Sequence, residues 1–135
     1  MEGLLARLSE ARRREKERTR VYRSRAAAAE EAGDPVASDR LNGLHADEQH
    51  HLSRLTARVL ELGGTPEDLP GGLMDGVGLQ GWEAEARIEE GEEVAFYEAL
   101  LEEVALDPVT RGIVEEILTS ERHHLEHLGG KWMPA

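Results

Sequence analysis

The chain has 135 residues, enough to bury one hydrophobic core but not two, and it contains no cysteine. Disulfides, thiolate zinc sites, iron–sulfur clusters and cysteine nucleophiles are therefore excluded, and any metal must be held by oxygen and nitrogen. With 33% charged residues, 4% aromatic residues and a net charge of −12, the composition points to a helical protein with an aliphatic core, whose exterior favours metal cations over nucleic acid.

The opening stretch MEGLLARLSEARRR carries charges where a secretory signal needs an apolar core, and no stretch reaches the apolar length of a membrane span. The expectation is a cytoplasmic protein that does not contact a membrane. A first helix from about Glu2 to Ala32 places Leu4, Leu8, Ala11, Glu15, Thr19, Tyr22, Ala26 and Ala29 on one face at three- and four-residue steps. Charge is uneven along the chain: residues 1–33 hold nine basic and six acidic residues, and the remainder seven and twenty-two. Acidic residues interrupt the Arg-rich run from Arg12 to Arg25, which reads as a solvated or subunit-facing surface.

Asp34-Pro35 is an N-cap followed by proline in the first turn, and it opens a second helix that stops at Gly63-Gly64. The inner stripe there is Leu41, Leu44, Glu48, His51, Leu55, Val59 and Leu62. The stretch from Gly63 to Gly81 contains seven glycines and two prolines and is not helical. A helix of about 27 residues is roughly 40 Å long, and an extended connector of this length reaches about 60 Å. It can therefore return along a whole bundle and let the second and third helices run parallel, where an up-and-down bundle needs only a short turn.

The third helix spans Trp82 to Ala105, with Ala86, Glu90, Val94, Tyr97, Leu101 and Val104 facing inward. The fourth begins at Asp107-Pro108, repeats the capping device of the second, and stops at Gly129-Gly130 after Val114, Ile117, Glu121, His124 and Leu128. The reading is an all-α, four-helix chain forming a single domain. It has two internal repeats, at about residues 2–62 and 82–130, joined by a crossover at 63–81.

The repeat carries the chemistry. A shift of 73 residues superposes Asp34-Pro35-Val36 on Asp107-Pro108-Val109, and Glu48, His50, His51 and Leu52 on Glu121, His123, His124 and Leu125. A shift of 75 superposes Glu15 and Tyr22 on Glu90 and Tyr97. Glu and His at i and i+3 share a helix face, so both can address one ion while the neighbouring helix supplies its own inward glutamate. Doubling the unit gives four carboxylates and two imidazoles, a donor set suited to two iron or manganese ions. Four ionised glutamates brought together in an apolar interior would each cost several kcal/mol by general estimates, and two divalent cations would neutralise them. Glu93, one turn after Glu90, is a candidate additional ligand, although Arg18 occupies its repeat equivalent. His50 and His123 point about 100° away from the ligand face and are read as surface residues. His127 is read as a helix-end histidine near the C-terminal dipole.

The segments EKERTRVY with ADEQHHL, and EGEEVAFY with TSERHHL, resemble the rubrerythrin-like branch of the ferritin-like di-iron superfamily across the four helices but not the connector. The resemblance implies that Glu15 and Glu90 are the single-helix carboxylate ligands and that Glu48/His51 and Glu121/His124 are the two Glu-x-x-His pairs. Tyr22 and Tyr97 would stand behind the ligands and hydrogen-bond to them. The implied activity is oxidation of bound iron by dioxygen or hydrogen peroxide. Rubrerythrins proper also carry a four-cysteine iron domain, which this sequence lacks, so electrons would come from a separate donor. A storage cage of 24 subunits is not implied. Homodimerisation through the first helix is a secondary expectation. Metal handling or storage without turnover, and a non-catalytic helical interaction module, stay open as alternatives.

Overall fold

A computed structural model of the chain describes residues 2–103 and 106–128. The expected inward Val104 and the expected stop at Gly129-Gly130 lie outside the described residues. There are four helices, α1 (Glu2–Glu31), α2 (Pro35–Glu61), α3 (Trp82–Glu102) and α4 (Pro108–His127), and no strand among the described residues. None of these helices is long and apolar enough to cross a membrane. The chain divides into two compact units, residues 1–80 and 81–135. In the first, α1 packs against α2, and in the second, α3 packs against α4.

Both even-numbered helices start as their sequences dictate. Asp34 accepts a hydrogen bond from the Ala37 backbone N–H at 3.1 Å, and Pro35 follows it. Asp107 accepts one from the Thr110 backbone N–H at 3.2 Å, and the Thr110 hydroxyl donates to the other carboxylate oxygen. These bonds satisfy N–H groups that the helix cannot pair internally, and proline costs nothing at a position whose N–H has no helical partner. Gly33 makes the turn between α1 and α2 with φ of 70°, a left-handed conformation that side-chain-bearing residues resist.

Within the first unit the aliphatic seam comprises Leu8, Ala11, Ala26 and Ala29 of α1 with Leu41, Leu55 and Val59 of α2. Leu4, Leu44 and Leu62, at the ends of the expected stripes, are half-buried. In the second unit Ala86, Leu100, Val114 and Ile117 are buried, while Val94 and Leu101 are only half-buried. Phe96 takes an inner position not expected from spacing, its ring edge-on to Tyr97 with centroids 5.0 Å apart.

The Arg-rich run departs from expectation. Arg12, Arg18 and Arg25 are buried rather than solvated, and the connector lies against the flank of α1 that carries Arg12, Arg20 and Ser24. Arg12 donates to the Thr56 hydroxyl at 2.9 Å and to the Glu67 carbonyl at 3.1 Å. Arg20 donates to the Gly72 carbonyl at 3.1 Å, and the Met74 backbone N–H donates to the Ser24 hydroxyl at 2.8 Å. Successive connector residues thus meet successive turns of α1, so the connector runs along α1 in the direction of α1 itself. Burial pulls the pKa of the Arg12 guanidinium down, opposed by the charges of Glu67 and Asp68. Arg25 lies over the Tyr22 ring, 5.9 Å from its centroid.

Two outcomes are expected. Asp107→Ala should lower the unfolding free energy by about 1 kcal/mol, as loss of an N-cap does, measured by urea denaturation; an unchanged midpoint would mean that the cap is redundant. Arg12→Ala should speed limited proteolysis in residues 66–72 with little loss of helical circular dichroism, and more than Arg13→Ala, whose pair with Glu67 is exposed. Equal cleavage rates would show that Arg12 does not hold the connector.

Candidate metal centre

Each hairpin buries a triad. In the first unit Glu15 comes from the middle of α1, and Glu48 and His51 come from one face of α2, at i and i+3. In the second, Glu90 comes from α3, and Glu121 and His124 from α4. All four glutamates have a relative exposure of 0%, and each histidine 4%. Full burial of a carboxylate is rare unless a cation or strong donors meet it.

The geometry of the two triads is nearly the same. His51 Nδ1 lies 3.2 Å from Glu15 Oε1 and 3.3 Å from Glu48 Oε1. His124 Nδ1 lies 3.6 Å from Glu90 Oε1 and 3.2 Å from Glu121 Oε1. One imidazole nitrogen therefore faces two carboxylates at once. A single N–H can be aimed at one oxygen, whereas a cation placed among the three atoms is addressed by all of them. Separations of this size match the edges of a coordination sphere with metal–ligand bonds of about 2.0–2.2 Å, which span roughly 3.0 Å in an octahedron and 3.5 Å in a tetrahedron. The ligand atoms of Glu15, Glu48 and His51, and those of Glu90, Glu121 and His124, lie within 4.8 Å of one another. Carboxylate oxygen with imidazole nitrogen suits iron, manganese and other transition metals, so the residues present fit a metal ion.

The remaining candidates divide. Tyr22 and Tyr97 are fully buried, Tyr22 on the helix that carries Glu15 and Tyr97 on the helix that carries Glu90. Glu93 is also buried, at 5% exposure, but is not among the side chains whose ligand atoms converge in the described residues. His50 and His123 are exposed, as their phase on the helix requires. His45 is half-buried with Nδ1 3.0 Å from the Thr19 carbonyl, a bond that ties α2 to α1 just beyond the triad.

Two buried Glu/Glu/His triads on paired helices define an all-helical protein with donor groups able to hold metal. No protein-family model matches the chain, and neither a curated protein nor a solved structure does.

Metal that binds only the folded state stabilises it. Adding Mn(II) or Fe(II) without oxygen should therefore raise the melting temperature of the wild type, and chelation should reverse the rise. Glu90→Ala and Glu121→Ala should each reduce that rise, whereas Glu92→Ala, exposed on the outer face of α3, should preserve it. The same metal response in all three variants would remove the triads from the binding site.

Proposed function

We propose that the buried Glu/Glu/His triads make this a ferritin-like di-iron or di-manganese protein, redox-active toward dioxygen or hydrogen peroxide. The observation that carries this reading is the duplication itself: two hairpins bury the same Glu and Glu-x-x-His set with the same imidazole-to-carboxylate convergence. Each triad would supply three protein donors to a metal ion, leaving further coordination positions open. Four carboxylates against two divalent ions also balance charge, which burial demands. The track of the connector along α1 supports a crossover that returns the chain along the first hairpin before α3 begins.

Iron bound there would supply the redox change, cycling between ferrous and ferric states, with manganese as the alternative metal. The work of the chain is to bind and orient. Glu15, Glu48, Glu90 and Glu121 provide hard anionic oxygens that tolerate both charge states, and His51 and His124 each provide one nitrogen. Tyr22 and Tyr97 are placed to hold ligand orientation through their hydroxyls. Full burial keeps bulk water from the carboxylates. Without cysteine the chain has no thiolate relay, so repeated turnover draws electrons from added Fe(II) or from a separate donor. Each chain holds its own centre, and dimerisation is not required to complete it.

Stopped-flow absorbance tests the proposal. The Fe(II)-loaded wild type should be oxidised by hydrogen peroxide or dioxygen much faster than the His51→Ala/His124→Ala variant, and should stop after one two-electron event per centre unless a donor is supplied. Equal rates in the two proteins would make metal storage or handling the better reading.

A further inference from the structure

The end of α4 holds a second group of metal-ligating side chains that the buried triads do not use. His123 and His127 are at i and i+4, one above the other on the outer face, while His124 turns inward between them. Their rings lie 4.1 Å apart between centroids with planes inclined by 51°. His123 is exposed and His127 half-buried.

The tautomer of His127 follows from its hydrogen bond. Its Nδ1 lies 2.8 Å from the backbone carbonyl oxygen of His123. A carbonyl only accepts, so Nδ1 carries the hydrogen and, in the neutral ring, Nε2 carries the lone pair. An Nδ1–H bond to a backbone carbonyl is also the device that orients metal-bound imidazoles elsewhere and makes them better donors. His127 is the last residue of the helix, where the negative end of the helix dipole favours a cation.

The repeat supplies an internal control. The equivalents of His123 and His127 in the first hairpin are His50 and Arg54. There the second imidazole is replaced by a permanent positive charge, so only the second hairpin presents a pair of nitrogens. We infer that His123 and His127 form a surface chelating site for a divalent transition-metal cation, distinct from the buried triads. Two imidazoles select Cu(II), Ni(II) or Zn(II) over Mg(II) and Ca(II), which prefer oxygen.

The inference stands whether or not the triads form a redox centre, and the test separates the two. Cu(II) is titrated into the tag-free full-length protein and followed by electron paramagnetic resonance, with circular dichroism to confirm folding. The wild type should show a Cu(II) species with two equatorial nitrogens. His123→Ala and His127→Ala should each lose the second nitrogen and bind that ion at least about tenfold more weakly, since loss of a ligand costs at least as much as loss of a partner behind one. His50→Ala should change nothing. The two-nitrogen species should also persist in Glu90→Ala/Glu121→Ala, where the inner triad of the same hairpin is disabled. The inference is overturned if the species survives in His123→Ala, if His50→Ala weakens it as much, or if it disappears in Glu90→Ala/Glu121→Ala.

Discussion

Four carboxylates with no exposure to solvent, flanked along their helices by aliphatic side chains, are the constraint on which the structure depends. A carboxylate removed from water loses several kcal/mol of hydration, by general estimates, unless its charge is met inside the protein. Such groups are not needed to build a helical hairpin, because leucine at Glu15 or Glu48 would complete the aliphatic stripes on either side. What the glutamates contribute is a converging set of hard anionic donors, and in each hairpin the histidine nitrogen faces the same point. The helices around them are long, and α2 and α4 are capped by Asp34 and Asp107. They hold each ligand by packing above and below it, as with Leu8, Ala11 and Tyr22 along α1 and Leu41 and Leu55 along α2.

The extent to which this was legible in the sequence depends on periodicity. Glu48 and His51, and Glu121 and His124, stand three residues apart within stripes of Leu, Val and Ile, so their inward direction follows from the helical repeat alone. The duplicated Asp-Pro caps fix where α2 and α4 begin, and a side-chain bond to the fourth residue is observed at both. The connector is different. Its glycines and prolines mark it as non-helical, but its path is set by isolated tertiary bonds such as Arg12 to Glu67 and Ser24 to Met74, which have no period to read. For that reason periodicity does not reveal the burial of Arg12, and a run expected to form a solvated or subunit-facing surface is partly covered within its own unit. Phe96, adjacent to the expected inner Tyr97, shows the other limit: spacing gives the centre of a buried face better than its width.

The repeat is faithful at the triads and looser around them. Arg18 and Glu93 occupy equivalent positions, are buried to nearly the same extent and carry opposite charge. Arg54 and His127 also differ on the outer face, one a guanidinium and the other an imidazole. The two hairpins thus bury the same donors at their triads and differ in charge one turn away.

The clasp between α1 and the connector bears on how the chain acquires its shape during synthesis. Every bond in it joins residues within the first 80 positions, and α1 finds its helical partner across a turn of only a few residues. Little loop entropy is lost in closing the α1–α2 hairpin, and the strap's bonds, which join residues 50 to 55 apart, can follow once that hairpin stands. The leading hairpin and its strap can therefore assemble on the ribosome while α3 and α4 are still untranslated, with an amino-terminal segment folding first as is general for nascent chains. Fastening the glycine-rich strap early would keep a slack stretch of nineteen residues from wandering into non-native pairings before the rest of the polypeptide emerges.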